Sequence, residues 1–126
     1  DETPEKIRAV FLYLKEHLEG QHQVTLEFIP RTGVTYSLRA LYAAQKDAQK
    51  ESNLFAMVDV IEDTPRWLSI CFYAAMVTDP EEKGDAVPGV FLGEDALCFD
   101  IDQWDEALVQ YIAARLDEAR QRASQG

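Results

Sequence analysis

The sequence predicts an α+β domain: an antiparallel β-sheet of about five strands, joined as hairpins, flanked by an N-terminal and a C-terminal helix. Three observations point there. Residues 54–61 and 67–77 are apolar runs on either side of Glu62-Asp63-Thr64-Pro65, the pattern of a β-hairpin. Residues 4–19 and the stretch after Asp102 carry apolar side chains at helical spacing. The strand-like runs between them have links that suit hairpins, so the sheet is antiparallel with helices packed on it. At 126 residues the chain is sized for one domain, 1–126, with a core that needs no disulfide or metal.

Each element has its own warrant. Thr3 is a fair N-cap, Pro4 fits the first helical position, and Ile7, Val10, Phe11, Leu14 and Leu18 form one stripe up to the natural stop at Gly20. Val24, Leu26 and Phe28 alternate with polar residues in a half-buried strand over 23–29, Pro30-Arg31-Thr32-Gly33 reads as a turn, and residues 34–42 alternate again. Residues 43–53 have helical composition but no apolar spacing to anchor it, and read as an exposed loop. After the central hairpin, residues 78–95 hold two prolines and three glycines and read as irregular, with Val87–Leu92 as an apolar island folding back on the core. Residues 96–101 are a short strand. Asp102 is expected to cap the last helix, with Asp105 in a capping-box position and Trp104, Ala107, Leu108, Tyr111, Ile112, Leu116 and Ala119 as its stripe. Arg115, Arg120 and Arg122 complement its dipole.

The hairpin carries the main lead on function. One parity of it is wholly apolar, and the other (Phe55, Met57, Ile61, Trp67, Tyr73) is interrupted only by Asp59, Ser69 and Cys71. A sheet with one wet face shows a more polar second set. If both helices pack on one face, Phe55, Met57, Ile61, Trp67 and Tyr73 are left as an interaction surface for a partner.

Twelve basic against 23 acidic residues give a net charge of −11, which repels nucleic acid and anionic membranes. Residues 79–106 hold ten acids and one base, Lys83, so this segment alone carries −9 and suits a basic protein partner. Asp79-Pro-Glu81-Glu-Lys83-Gly84 imitates the start of an EF-hand loop, but Lys83 and Val90 stand where ligands are needed, so no metal is expected. No apolar run is long enough to span a membrane and no signal-peptide pattern is visible. Cys71 and Cys98 are isolated within apolar runs and read as buried free thiols rather than a disulfide, which suits the cytoplasm. His17 and His22 straddle the end of the first helix, where a cationic His stabilises a helix terminus. No phosphate-binding glycine loop, nucleophile elbow or activated cysteine is present, and no cofactor is implied.

The expected function is therefore a non-enzymatic protein-interaction or chaperone-like module, working as a homodimer through the second sheet face or an exposed edge. In size, charge and element order the chain resembles the dimeric secretion chaperones that bind extended segments of effector proteins, a resemblance that involves no shared motif. The alternative is a small-ligand-binding domain or enzyme with a pocket between the sheet and the 78–95 loop, lined by Asp59, Ser69, Tyr73, Glu94 and Asp95. Asp59 is the residue to watch there, because a buried carboxylate that interrupts an apolar face is a site candidate.

Overall fold

The apolar stripe of the first helix is buried as its spacing requires. In the computed structural model, which describes residues 3–21, 23–31, 34–42, 54–63, 66–91 and 93–125, helix α1 spans Thr3–Glu19. Ile7, Val10, Leu14 and Leu18 are all buried on one side of it. The helix closes where Gly20 N donates to Glu16 O at 3.1 Å and Gln21 N to Leu18 O at 3.0 Å. The loop expected at 43–53, His22 and the Thr64-Pro65 tip of the central turn lie outside the described residues, as do the side chains of Thr3 and Pro4.

Six described strands follow: β1 (Val24–Arg31), β2 (Val34–Tyr42), β3 (Leu54–Ile61), β4 (Trp67–Tyr73), β5 (Asp85–Phe91) and β6 (Glu94–Ile101). Every described pairing is antiparallel, in the order β1-β2-β3-β4-β6-β5. Helix α2 (Glu106–Gln125) completes the chain. The molecule is an α+β fold with one strand more than the sequence suggests.

That extra strand is β5, inside the segment read as irregular. Pro88 and Gly89 are tolerated because β5 is an edge strand, and its register against β6 shifts between Val87 and Phe91. Gly89 takes φ +69 there, a left-handed conformation that few side chains accept. Two further expectations are corrected. β1 runs through Pro30 to Arg31, with a register shift between Ile29 and Arg31, so these two residues belong to the strand and not to the expected turn, whose Thr32 and Gly33 lie outside the described residues. β4 ends at Tyr73, and Ala74–Met76 coil into a short 3-10 turn that breaks the alternation expected to reach Val77.

Helix α2 is capped by Asp105, not Asp102. Asp105 Oδ1 accepts from Leu108 N at 3.2 Å, and its carbonyl accepts from Val109 N at 2.8 Å. Trp104 thus precedes the helix and is 38% exposed, its ring edge-on to Tyr13 at 5.7 Å. Replacing Asp105 with Ala is expected to cost about 1 kcal/mol of stability, against little change for Asp102→Ala, in matched thermal melts.

Both described helices lie on one face of the sheet. Ile7, Val10, Leu14 and Leu18 of α1 and Val109, Ile112, Leu116 and Ala119 of α2 share one buried cluster with Leu38, Ala40, Val58, Val60, Leu68, Ile70, Phe72, Phe99 and Ile101. His17 Nε2 and Asp117 Oδ1, 2.8 Å apart, tie the helices to each other. Phe55 belongs to this helix-side core although its parity points away. The pairing of β2 with β3 slips between Ala40 and Leu41, so Phe55 occupies a bulge that turns its fully buried ring toward the helices.

Candidate functional site

The opposite face carries no described helix, and its residues can be set out by register. One cross-strand row is Ser37, Asp59, Ser69 and Asp100, from β2 to β6. The next row along the strands is Glu27, Arg39, Met57, Cys71, Cys98 and Asp85. A small second apolar cluster lies on this side, made of Leu54, Met57, Cys71, Ala96 and Cys98, with Leu41, Tyr73 and Val87 packed against it.

Cys71 and Cys98 face each other across β4 and β6 with Cα atoms 4.1 Å apart, the close spacing of a non-hydrogen-bonded pair, and they form a disulfide. The expectation of two free thiols is therefore corrected, and with it goes the argument from free thiols for a cytoplasmic setting. The missing step was strand order: neither cysteine's neighbours in sequence show that β4 and β6 are adjacent. No helix among the described residues is long and apolar enough to cross a membrane.

The expected interaction residues do not form one open patch. Phe55 is in the helix-side core and Met57 is 9% exposed. Ile61, Trp67 and Tyr73 are half-buried. Trp67 is held by its indole, which donates to Asp63 Oδ2 at 3.1 Å. The expected pocket residues are only partly gathered. Asp59 and Ser69 are direct cross-strand partners. Tyr73 lies four residues along β4, roughly 13 Å away at strand rise. Glu94 and Asp95 are exposed at the start of β6, where Asp95 Oδ1 accepts from Gly89 N at 3.2 Å and braces the β5–β6 turn.

The 78–84 loop packs on α2 instead of roofing the sheet. Tyr111 donates its hydroxyl proton to Asp79 Oδ1 and accepts from Glu81 N at 3.1 Å. Asp79 also accepts from Lys83 N and Gly84 N, both at 2.9 Å, so the acid that opens the EF-hand look-alike is a turn cap. Thr78 donates to Glu118 through its backbone N at 2.8 Å and its hydroxyl at 2.7 Å. The Arg115 guanidinium lies 4.5 Å from the centre of the Tyr111 ring, and its Nε is 3.0 Å from Glu118 Oε1, an ion-pair contact whose N–H is not aimed at the oxygen. Burial acts to raise the Asp79 and Glu118 carboxyls, but the hydrogen bonds they accept and the charge of Arg115 outweigh it and leave both below their ordinary values. Burial, with the bond to Asp79, pushes the Tyr111 hydroxyl up.

A cleft of about 280 Å³ adjoins this clamp, lined by Met76, Thr78, Glu118, Gln121 and Arg122. Its charged groups are already engaged: Glu118 with Thr78 and Arg115, and Arg122 Nη1 with Ala75 O at 3.0 Å. Among the described residues no three of His, Cys, Asp and Glu come together as a ligand set. Ser37, which pairs with Asp59 in the polar row, was not singled out by sequence reasoning. The sheet register is the signal that connects them.

No protein-family model matches the chain, and no curated protein or solved structure is significantly similar to it.

Proposed function

We propose that this chain is a non-enzymatic protein-interaction module that works as a homodimer through its β1 edge and takes a basic protein partner on its acidic surface. The observation that supports the dimer is the contrast between the two sheet edges. β5 is blunted by Pro88, Gly89 and a register shift. β1 also carries a proline and a register shift, at Pro30 and between Ile29 and Arg31, but these lie at its end and leave Val24–Ile29 in regular register, without a lysine and with Phe28, which is 50% exposed. Phe28 lies 5.9 Å from the Phe11 ring of α1, the helix that also exposes Leu12 at 40%. An edge of this kind offers backbone donors and acceptors with an apolar border, and two copies satisfy it in antiparallel pairing.

Light scattering tests this. At ~100 μM the expected mass is twice the 14.3 kDa of one chain. Raising salt strengthens the dimer by screening two chains of −11 each. Phe28→Lys with Leu12→Lys, both at exposed positions, is expected to give monomers of unchanged helix content. A parent protein that stays monomeric at that concentration overturns the dimer.

A further inference from the structure

We infer that the dimer is built on one register. Its two-fold axis passes through Leu26 at right angles to the sheet, so that β1 meets the β1 of a second copy as Val24 against Phe28, Thr25 against Glu27, and Leu26 against Leu26. This rests on the β1-edge dimer proposed above and fixes its geometry.

The backbone sets the usable length of the edge. Gln23 takes φ +62, a left-handed conformation that ends extended pairing on one side. Pro30 has no N–H to donate and lies where the β1–β2 register shifts, which ends it on the other. Val24–Ile29 remains. Val24 and Leu26 pack against the helix-side core and Phe28 meets the Phe11 ring of α1, so these three share the helix side. Thr25 and Glu27 leave the other face, and both are exposed.

Symmetry then leaves few registers. Antiparallel pairing about a two-fold needs the axis perpendicular to the sheet, which keeps the helices of both copies on one side. Residues directly opposite each other lie on the same face. Each residue therefore meets one of its own parity, and the axis passes through a residue rather than between two. An axis at Phe28 runs Leu26 against Pro30. An axis at Thr25 leaves Phe28, 50% exposed, outside the ladder. An axis at Glu27 sets two carboxylates directly against each other, between chains that each carry −11. An axis at Leu26 avoids all three faults and makes the strand complementary to itself. On the helix side Leu26 meets Leu26 and each Phe28 meets a Val24. On the other side each Thr25 hydroxyl faces a Glu27 carboxylate that can accept its proton. The two six-stranded sheets become one, with the exposed Leu12 of both α1 helices on the same side of it.

The test is disulfide trapping at ~100 μM, with the Cys71–Cys98 bond left in place, alongside light scattering of the parent protein. Directly opposed Cα atoms in an antiparallel pair are about 4.5–5.5 Å apart, within disulfide reach. Leu26→Cys is therefore expected to form a covalent dimer. Glu27→Cys is not, because in this register the two copies of residue 27 are offset along the strands, with Cα atoms roughly 8 Å apart. In the register centred on Glu27 the two results exchange. Two further variants read the register without a new cysteine. Thr25→Lys sets a lysine against Glu27 of the second copy and is expected to tighten the dimer about fivefold, and Thr25→Glu to weaken it about as much. Glu94→Gln, the same change of net charge on a strand far from β1, is expected to change it less than about twofold. Four results would overturn the register and leave the dimer standing: trapping at residue 27 and not 26, equal trapping at both, trapping at neither in protein that scatters as a dimer, or the same response to Thr25→Lys and Thr25→Glu. A parent protein that is monomeric at this concentration would overturn both.

Discussion

Reduction of the Cys71–Cys98 bond is expected to lower the thermal midpoint by roughly 10 °C. The two residues are 27 apart in sequence. Closing a loop of that length in the unfolded chain accounts for about 3.5 kcal/mol by the chain-entropy relation. For a domain of this size each kcal/mol moves the midpoint by a few degrees. Cys71→Ala with Cys98→Ala should lose a similar amount and become insensitive to reductant. Because β4 and β6 are already hydrogen-bonded neighbours, the fold itself should survive, with the far-ultraviolet spectrum unchanged below the melt. A midpoint that is the same with and without reductant, in protein that alkylation shows to be disulfide-bonded, would contradict this.

Tyr111→Ala should cost about 3 kcal/mol, the second largest effect expected of a single change. The ring packs edge-on to the buried Phe99 at 5.9 Å, lies under Arg115, and has Lys83 at 5.8 Å from its centre. Its hydroxyl bonds both Asp79 and Glu81. Truncation removes aromatic burial, a cation–π contact and two hydrogen bonds together. Tyr111→Phe isolates the hydroxyl and should cost about 1 kcal/mol. The Phe variant also has a signature in acid. Asp79 and Glu118 have folded pKa values below their unfolded ones, so their contribution is present above the unfolded value and is lost as pH falls through the folded one. Removing the Tyr111 bond to Asp79 should therefore flatten the acid limb of the stability curve, while leaving the Glu118 share, which depends on Thr78 and Arg115. An unchanged acid limb in Tyr111→Phe would show that the clamp does not set it.

Much of the fold could be read from the chain, and the exceptions have local causes. Period-3.6 and period-2 spacing place α1, β2, β3 and most of β1 and α2, because each buries one face against a single core. β5 escaped notice because Pro88 and Gly89 are penalised in a central strand but tolerated at an edge, and edge position is a property of the whole sheet. Phe55 was assigned to the wrong face because one bulge between Ala40 and Leu41 reverses parity, and nothing in the run Leu54–Ile61 announces it. Asp59 stood out in the sequence as an interruption. Its neighbour Ser37 did not, since a serine in an alternating strand looks like an ordinary solvent-facing position until register aligns it with Asp59. The disulfide is the same lesson: two cysteines become a pair only when β4 and β6 are placed side by side.

Hydrogen exchange of the β1 amides as a function of protein concentration tests the interaction-module account most directly. In the sheet, β1 pairs with β2 on one side only. Its outward-pointing amides therefore have no strand partner among the described residues of a single chain, and are bonded in an edge-to-edge dimer. Between ~1 μM and ~200 μM the outward amides of Val24–Ile29 should become protected, while those on the blunted β5 edge do not change, and the Phe28→Lys, Leu12→Lys variant should show neither effect. Outward β1 amides that exchange at the same rate at both concentrations would contradict the account.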